Sequence, residues 1–210
     1  MMTQLNKKTL TSAILGMLLV LTLLVIVQIN RRGGATDIVL PASVTLKPLT
    51  TWTDELILKS DEPPSGWRLG GLAWHEVLGM PSRTYWFRHL PAAPLGTALS
   101  EAFSVYSTTL LAKQAYPRVL DEFFPPAYAQ DWKTMPELAI QDHADEIKTA
   151  CLPGEQFNGS LNMACRSIAR YQNVIVQVNG IVHPDQWLTL ADFRQMLEAV
   201  DRRVTLVLSR

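Results

Sequence analysis

The longest uninterrupted apolar stretch of the chain lies near its start. Residues 10–29, LTSAILGMLLVLTLLVIVQI, contain no charged side chain over twenty positions. A helix of this length, at about 1.5 Å per residue, spans roughly 30 Å, which is the thickness of a bilayer's hydrocarbon core. Lys7 and Lys8 precede the stretch and Arg31 and Arg32 follow it. The pattern predicts a single transmembrane helix over residues 10–29 that anchors the chain in a lipid bilayer.

A cleaved secretory signal is the alternative interpretation of this stretch. Signal sequences have apolar cores of about 7–15 residues and end at a small-x-small cleavage site. Here the apolar core is longer, and residues 28–32, QINRR, are a poor cleavage site. We therefore favour a retained anchor. Within it, Ser12 and Gly16 form a small-xxx-small pair that would let a partner helix approach closely, although such pairs also arise by chance in many anchors.

The charge distribution bears on the orientation of the anchor. The two flanks carry equal numbers of Lys and Arg, but a short tail before a first helix usually stays in the cytoplasm. Residues 33–210 carry fifteen basic and nineteen acidic side chains, a net charge of −4. We expect residues 1–9 to form a short cytoplasmic tail and the C-terminal domain to lie outside the cytoplasm of a single-pass cell-membrane protein.

Prolines and glycines mark the segment that follows the anchor. Residues 30–66 begin near Gly33-Gly34, contain Pro41 and Pro48, and end at the sequence PPSG. Because proline fixes φ and removes a hydrogen-bond donor, we expect a tether with at most one short strand, Glu55–Lys59. Trp52 has no obvious core within such a tether, so we expect it to contact a partner or the bilayer surface.

The remaining residues, 67–210, are numerous enough to form one compact core. Aromatic and branched residues are frequent in Trp67–Glu76 and Arg83–Leu90, and the sequence GMPS between them predicts a hairpin. Ala102–Ser107 is a candidate third strand. A helix is predicted over Thr108–Phe124, where Pro117 must kink it or begin a second one. Its apolar stripe is predicted at Leu111, Ala115, Val119 and Phe123.

The C-terminal third predicts two strands and a helix. Ala144–Cys151 and Cys165–Asn179 are typical of half-buried strands, with valines that alternate with polar residues in the second. Thr189 and Asp192 form a capping-box pattern at the start of the next helix, and Val204–Leu208 is a candidate closing strand. The interleaved strands, hairpins and helices predict an α+β domain with a mostly antiparallel sheet and two main helices.

Three stretches carry a resemblance to small, membrane-anchored extracytoplasmic α+β domains of the PsbP-like or kinase-sensor kind. They are ADEIKTAC at 144–151, CRSIARYQNVIVQV at 165–178 and LADFRQMLEAVD at 190–201, about a third of the chain. The resemblance is one of general pattern. It implies a module that binds a ligand or a partner and is not an enzyme, and it transfers no functional residue.

The two cysteines, Cys151 and Cys165, are separated by thirteen residues. On neighbouring strands in an oxidising compartment such a pair readily forms a disulfide, and closing a loop of this size contributes about 3 kcal/mol in the chain-entropy model. Two free buried thiols are the alternative if the domain is cytoplasmic. The spacing matches neither a C-x-x-C redox pair nor a C-x-x-C-H haem site.

Other motifs predict no catalysis. The four histidines form no H-x-x-x-H pair, no serine lies in G-x-S-x-G, and no glycine-rich phosphate loop is present. The run DHADE at 142–146 is locally acidic, and we interpret it as a solvated turn rather than a metal site. The net charge of zero argues against nucleic-acid binding. We therefore expect no cofactor, no metal and no enzymatic activity.

Two functions from different classes fit these features. The first is an accessory subunit of a larger membrane complex, of the respiratory or photosynthetic kind, that docks through its helix, tether and external domain onto other subunits. The second is an extracytoplasmic ligand-binding or sensor module. Because the tail before the anchor is too short to hold an output domain, such a sensor would have to signal through a partner.

Overall fold

The computed structural model describes residues 44–77, 80–89, 99–157, 160–183 and 188–210, and these belong to one compact unit. The predicted tail, the predicted anchor at 10–29, Ser12 and Gly16 all lie outside the described residues. No helix within the described ranges is long and apolar enough to cross a bilayer.

The described part of the chain forms an α+β domain built on one antiparallel sheet, as the sequence predicts. The sheet has six strands in the order β1-β2-β3-β6-β5-β4. The strands are β1 (Trp67–Val77), β2 (Met80–His89), β3 (Leu99–Val105), β4 (Glu146–Phe157), β5 (Ser160–Tyr171) and β6 (Val174–Val182). Each half of the sheet is therefore a three-stranded meander, and β3 and β6 join the halves at its centre.

The prediction of one strand over Cys165–Asn179 is wrong, because the chain reverses at Gln172-Asn173. Tyr171 pairs with Val174 across this two-residue turn, and Gln172 has φ 52°. A positive φ at the first turn position matches the right-handed twist of the flanking strands. The sequence signal is weak because glutamine rarely adopts this conformation. The turn produces two strands, β5 and β6, where alternation indicated one.

Two α-helices occur among the described residues, α1 (Thr109–Phe123) and α2 (Leu190–Leu208). The predicted capping box is present at the start of α2, where Thr189 and Asp192 bond reciprocally. The predicted strand Val204–Leu208 is wrong, since these residues continue α2 and Val204 and Leu208 lie in the core. Their branched side chains favour a strand locally, but burial on one helix face overrides that propensity.

Helix α1 runs through Pro117 as a single element, so of the two alternatives predicted for this proline, the start of a second helix does not occur. Its buried face is Ala112, Tyr116 and Val119, whereas the predicted stripe member Leu111 is 44% exposed. The other predicted members are closer to correct: Val119 is buried, and Ala115 and Phe123 are partly buried against the same core. The stripe missed Tyr116, which is buried and donates a hydrogen bond from its hydroxyl to the carbonyl of Ile168.

The two helices lie on opposite faces of the sheet. Along β6, Val174, Val176 and Val178 face the core shared with α2, whereas Ile175 packs in the core under α1. This follows from the two-residue period of a strand, which directs successive side chains to opposite faces. β5 and β6 are buried on both faces as a result.

Residues 44–66, predicted as a tether, pack onto the face of the sheet that α2 also covers; we call them the covering segment. Leu56 and Leu58 are fully buried in this core, and Trp52 packs edge-to-face on Phe103 with 6.3 Å between ring centroids. A short 3₁₀ helix, Asp54–Leu56, replaces the predicted strand Glu55–Lys59. Thr53 caps it by accepting a hydrogen bond from the Glu55 amide, which favours the helical turn over an extended chain.

Candidate partner-binding groove

A groove of about 260 Å³ runs between β4 and the loop that precedes it. One wall is the loop 134–142, and the other is the outer side of β4 at Ile147 and Thr149. The lining is mostly apolar and is formed by Thr134, Met135, Pro136, Leu138, Ala139, Ile140, Asp142, Ile147 and Thr149. We call this feature the β4 groove.

The backbone of β4 is open along the groove. Cys151 donates a hydrogen bond to the carbonyl of Lys133 at 2.9 Å and accepts one from the Lys133 amide at 2.8 Å, on the side away from β5. Alternate residues of a strand present their backbone groups to the same side. Ile147 and Thr149 therefore direct their N–H and C=O groups outward as well, and no strand among the described residues pairs with them there.

One end of the groove is fixed by the disulfide. Cys151 and Cys165 face each other across β4 and β5 and are joined by an S–S bond of 2.03 Å, which confirms the predicted pair. They form a non-hydrogen-bonded cross-strand pair, the kind in which Cα atoms lie closest, and their Cα atoms are 4.1 Å apart. Because Lys133 bridges to Cys151, the disulfide also secures the start of the loop wall.

The other end of the groove is fixed by Asp201, a buried carboxylate on α2. Its Oδ1 accepts hydrogen bonds from the His143 amide at 2.8 Å and from the Tyr171 hydroxyl at 2.9 Å. Its Oδ2 lies 2.8 Å from Nδ1 of His143. Burial, and next the charge of Asp201, raises the pKa of Tyr171 well above its ordinary value, so this hydroxyl remains a hydrogen-bond donor.

Arg170 reinforces the same end of the groove. Its guanidinium donates to Oδ2 of Asp145 at 2.8 Å and to Oε1 of Glu146 at 2.9 Å. Asp145, the residue before β4, also accepts a hydrogen bond from the amide of Gln172 at 2.8 Å, which links the end of the loop to the turn between β5 and β6. The loop wall is thus held at both ends, so the groove exists before any occupant arrives.

Asp142 supplies the one acidic side chain in the groove lining. Partial burial, and next the repulsion from Asp201, raises the pKa of this carboxyl. A cationic group placed in the groove would favour the ionised form of Asp142 and relieve that repulsion. The groove therefore combines an open strand edge, an apolar lining and one acidic side chain.

The sequence interpretation of DHADE as a solvated turn missed these contacts. His143 and Asp201 are 58 residues apart, and Asp145 and Arg170 are 25 apart, so no local spacing reveals either pair. Within the described ranges, no group of three or more His, Cys, Asp or Glu side chains is placed to hold a metal ion. The predicted contact residue Trp52 is half-buried on Phe103, with the Arg83 guanidinium 4.2 Å from its ring centroid.

Comparison with known proteins supplies no family for this chain: no family model, no curated protein and no solved structure matches it.

Proposed function

We propose that this protein is a membrane-anchored accessory subunit that binds an extended segment of another subunit along the β4 groove. The observation that carries the proposal is the outward-facing backbone of Ile147 and Thr149 beside a preformed apolar groove. An extended peptide can add a strand to such an edge, with affinity from main-chain hydrogen bonds and specificity from alternate side chains.

The chemistry of the groove defines the segment it would take. Alternate side chains of an added strand point to the same face. One of them would enter the apolar space between Ile140 and Ile147, and a Lys or Arg nearby would meet Asp142. We therefore propose a short β-strand-forming segment with branched residues and at least one basic residue as the partner.

The proposed location follows from the anchor and the disulfide. Residues 10–29 would hold the chain in a cell membrane as a single-pass protein, with the domain outside the cytoplasm. The disulfide between Cys151 and Cys165 supports this placement, because such bonds persist in oxidising compartments and are rare in the cytosol. The docking partner would be another subunit of a membrane complex.

The proposal is tested by co-purification from native membranes in mild detergent. Ile147→Lys introduces a charge on the open edge, a device by which natural sheets block strand addition. The matched control is Leu110→Lys, since Leu110 is also exposed, at 64%, and lies on the opposite layer in α1. We expect the wild type and Leu110→Lys to retain a defined partner and Ile147→Lys to lose it at least tenfold.

The outcomes separate the proposal from its alternative. Loss of the partner in Leu110→Lys but not in Ile147→Lys would contradict docking at β4 and place it on α1. A monodisperse wild-type monomer that a small molecule stabilises against heat would favour the ligand-binding or sensor module.

A further inference from the structure

Glu101, at the centre of the sheet, is a fully buried acid without a visible partner. It lies on β3, directly opposite Tyr85 of β2 and Val178 of β6. Its exposure is 0%, and neither carboxylate oxygen has a hydrogen-bond partner among the described residues. An unpaired buried carboxylate is costly, so an acid at this position requires a physical account.

The side chain of Glu101 lies on the face that the covering segment and α2 share. Its strand neighbours on that face, Leu99 and Phe103, belong to the same core as Leu56 of the covering segment and Val204 of α2. The groups that act electrostatically with Glu101 are Glu62 from the covering segment, Arg203 from α2, Tyr85 from β2 and Tyr171 from β5. The facing residue of β6 is the neutral Val178.

Arg203 already has a partner from the covering segment. Its guanidinium donates from Nε to Oε2 of Glu62 at 3.1 Å, and its Nη2 bonds Oε1 of the same carboxylate. The exposed fractions of the two side chains are 6% for Arg203 and 16% for Glu62, so this ion pair is largely shielded from water. Arg203 therefore interacts electrostatically with two acids, Glu101 and Glu62, and its hydrogen bonds go to Glu62 of the covering segment.

We propose that Glu101 and Arg203 form a proton-controlled latch for the covering segment. With Glu101 neutral, Arg203 bonds Glu62 and holds residues 44–66 on the sheet. With Glu101 ionised, its carboxylate competes for Arg203 and repels Glu62, and the covering segment separates from the core. This inference is independent of the β4 groove.

The electrostatics favour the neutral, closed form. Burial, and next the repulsion from Glu62, raises the pKa of Glu101 well above its ordinary value, while Arg203 acts in the opposite direction. The closed state therefore holds a proton that the open state releases. Its stability is fully present below the ordinary carboxyl pKa and falls as pH rises towards the raised value, by up to about tenfold in the closed-to-open ratio for each pH unit.

Opening of the covering segment can be distinguished from loss of the sheet, because the two depend on different hydrogen bonds. Leu49 exchanges two hydrogen bonds of 2.7 Å with the side chain of Asn173, and the Lys47 amide donates to the carbonyl of Leu208 at 2.7 Å. These bonds are lost when the segment leaves. The backbone hydrogen bonds between β5 and β6 do not involve the covering segment, so their protection from exchange reports on the sheet alone.

The test is hydrogen exchange on the full-length chain in detergent micelles, with protection corrected for the intrinsic effect of pH. Between about pH 5 and about pH 8, where a carboxyl with a raised pKa can titrate, we expect protection of residues 44–66 to fall at least tenfold and that of β5 and β6 to stay constant. Glu101→Gln, which mimics the protonated acid, should keep the segment protected throughout. Glu122→Gln, an exposed acid on α1, is the matched control and should behave as the wild type.

A second variant makes the test independent of how well Glu101→Gln folds. Glu62→Gln removes the carboxylate that pairs with Arg203, so Arg203 is free to pair with Glu101. The amides of the covering segment should then be weakly protected from hydrogen exchange at every pH. The latch is refuted if Glu101→Gln keeps the pH dependence, if Glu62→Gln matches the wild type, or if the segment and the β5–β6 ladder lose protection together.

Discussion

At the scale of single residues, Asp201 organises the end of the β4 groove. Its buried carboxylate accepts hydrogen bonds from the amide of His143 and the hydroxyl of Tyr171. The same carboxylate also pairs with the ring nitrogen Nδ1 of His143. The loop wall is therefore positioned by a side chain from a distant element. A buried acceptor with several donors contributes most when its removal leaves those donors unpaired.

Asp201→Ala should destabilise the domain because the buried Tyr171 hydroxyl and the His143 amide lose their acceptor. The expected loss in the free energy of unfolding is about 1–3 kcal/mol, measured by chemical denaturation in detergent. The double variant Asp201→Ala with Tyr171→Phe should recover part of the loss, since it removes the unpaired hydroxyl. An Asp201→Ala protein within about 0.5 kcal/mol of the wild type would show that this network does not hold the loop.

At the scale of secondary-structure elements, the disulfide joins β4 to β5, and Lys133 of the preceding loop pairs with its half-cystine Cys151. Its two half-cystines are 14 positions apart. Replacing both by serine should lower the free energy of unfolding by about 3 kcal/mol in the chain-entropy model, again measured by denaturation. Both thiols should resist alkylation in unreduced, denatured wild-type protein. Quantitative alkylation there would contradict the bond and the proposed extracytoplasmic location together.

Hydrophobic periodicity and the positions of turn- and cap-forming residues predict most of the helices and strands but not all of their ends. The β1–β2 hairpin, β3, α1 and the start of α2 follow from local patterns, namely branched and aromatic runs and a capping box. The turn predicted at GMPS is placed too late in the chain, since Met80, Pro81 and Ser82 already belong to β2 and pair with β1. The reversal at Gln172 and the helical state of Val204–Leu208 do not, because each depends on tertiary packing. The groove is less predictable still: its lining lies within residues 134–149, but its shape depends on contacts with Arg170 and Asp201, which are far from the lining in the chain.

At the scale of the whole molecule, the covering segment belongs to the folded domain. Residues 44–66 lie on the core instead of forming a free tether, and about 15 residues separate residue 29 from residue 44. We propose that the exposed edge of β4 on this domain meets the extracytoplasmic part of a neighbouring subunit.

A photoreactive residue in place of Thr149 tests most directly whether a partner strand lies along β4. The full-length protein is irradiated in native membranes, with the same residue in place of Leu110 as the control. We predict crosslinks from position 149 to one short segment of a single partner protein, abolished by Ile147→Lys and absent from position 110. Crosslinks to that partner from position 110 and none from position 149 would contradict the account.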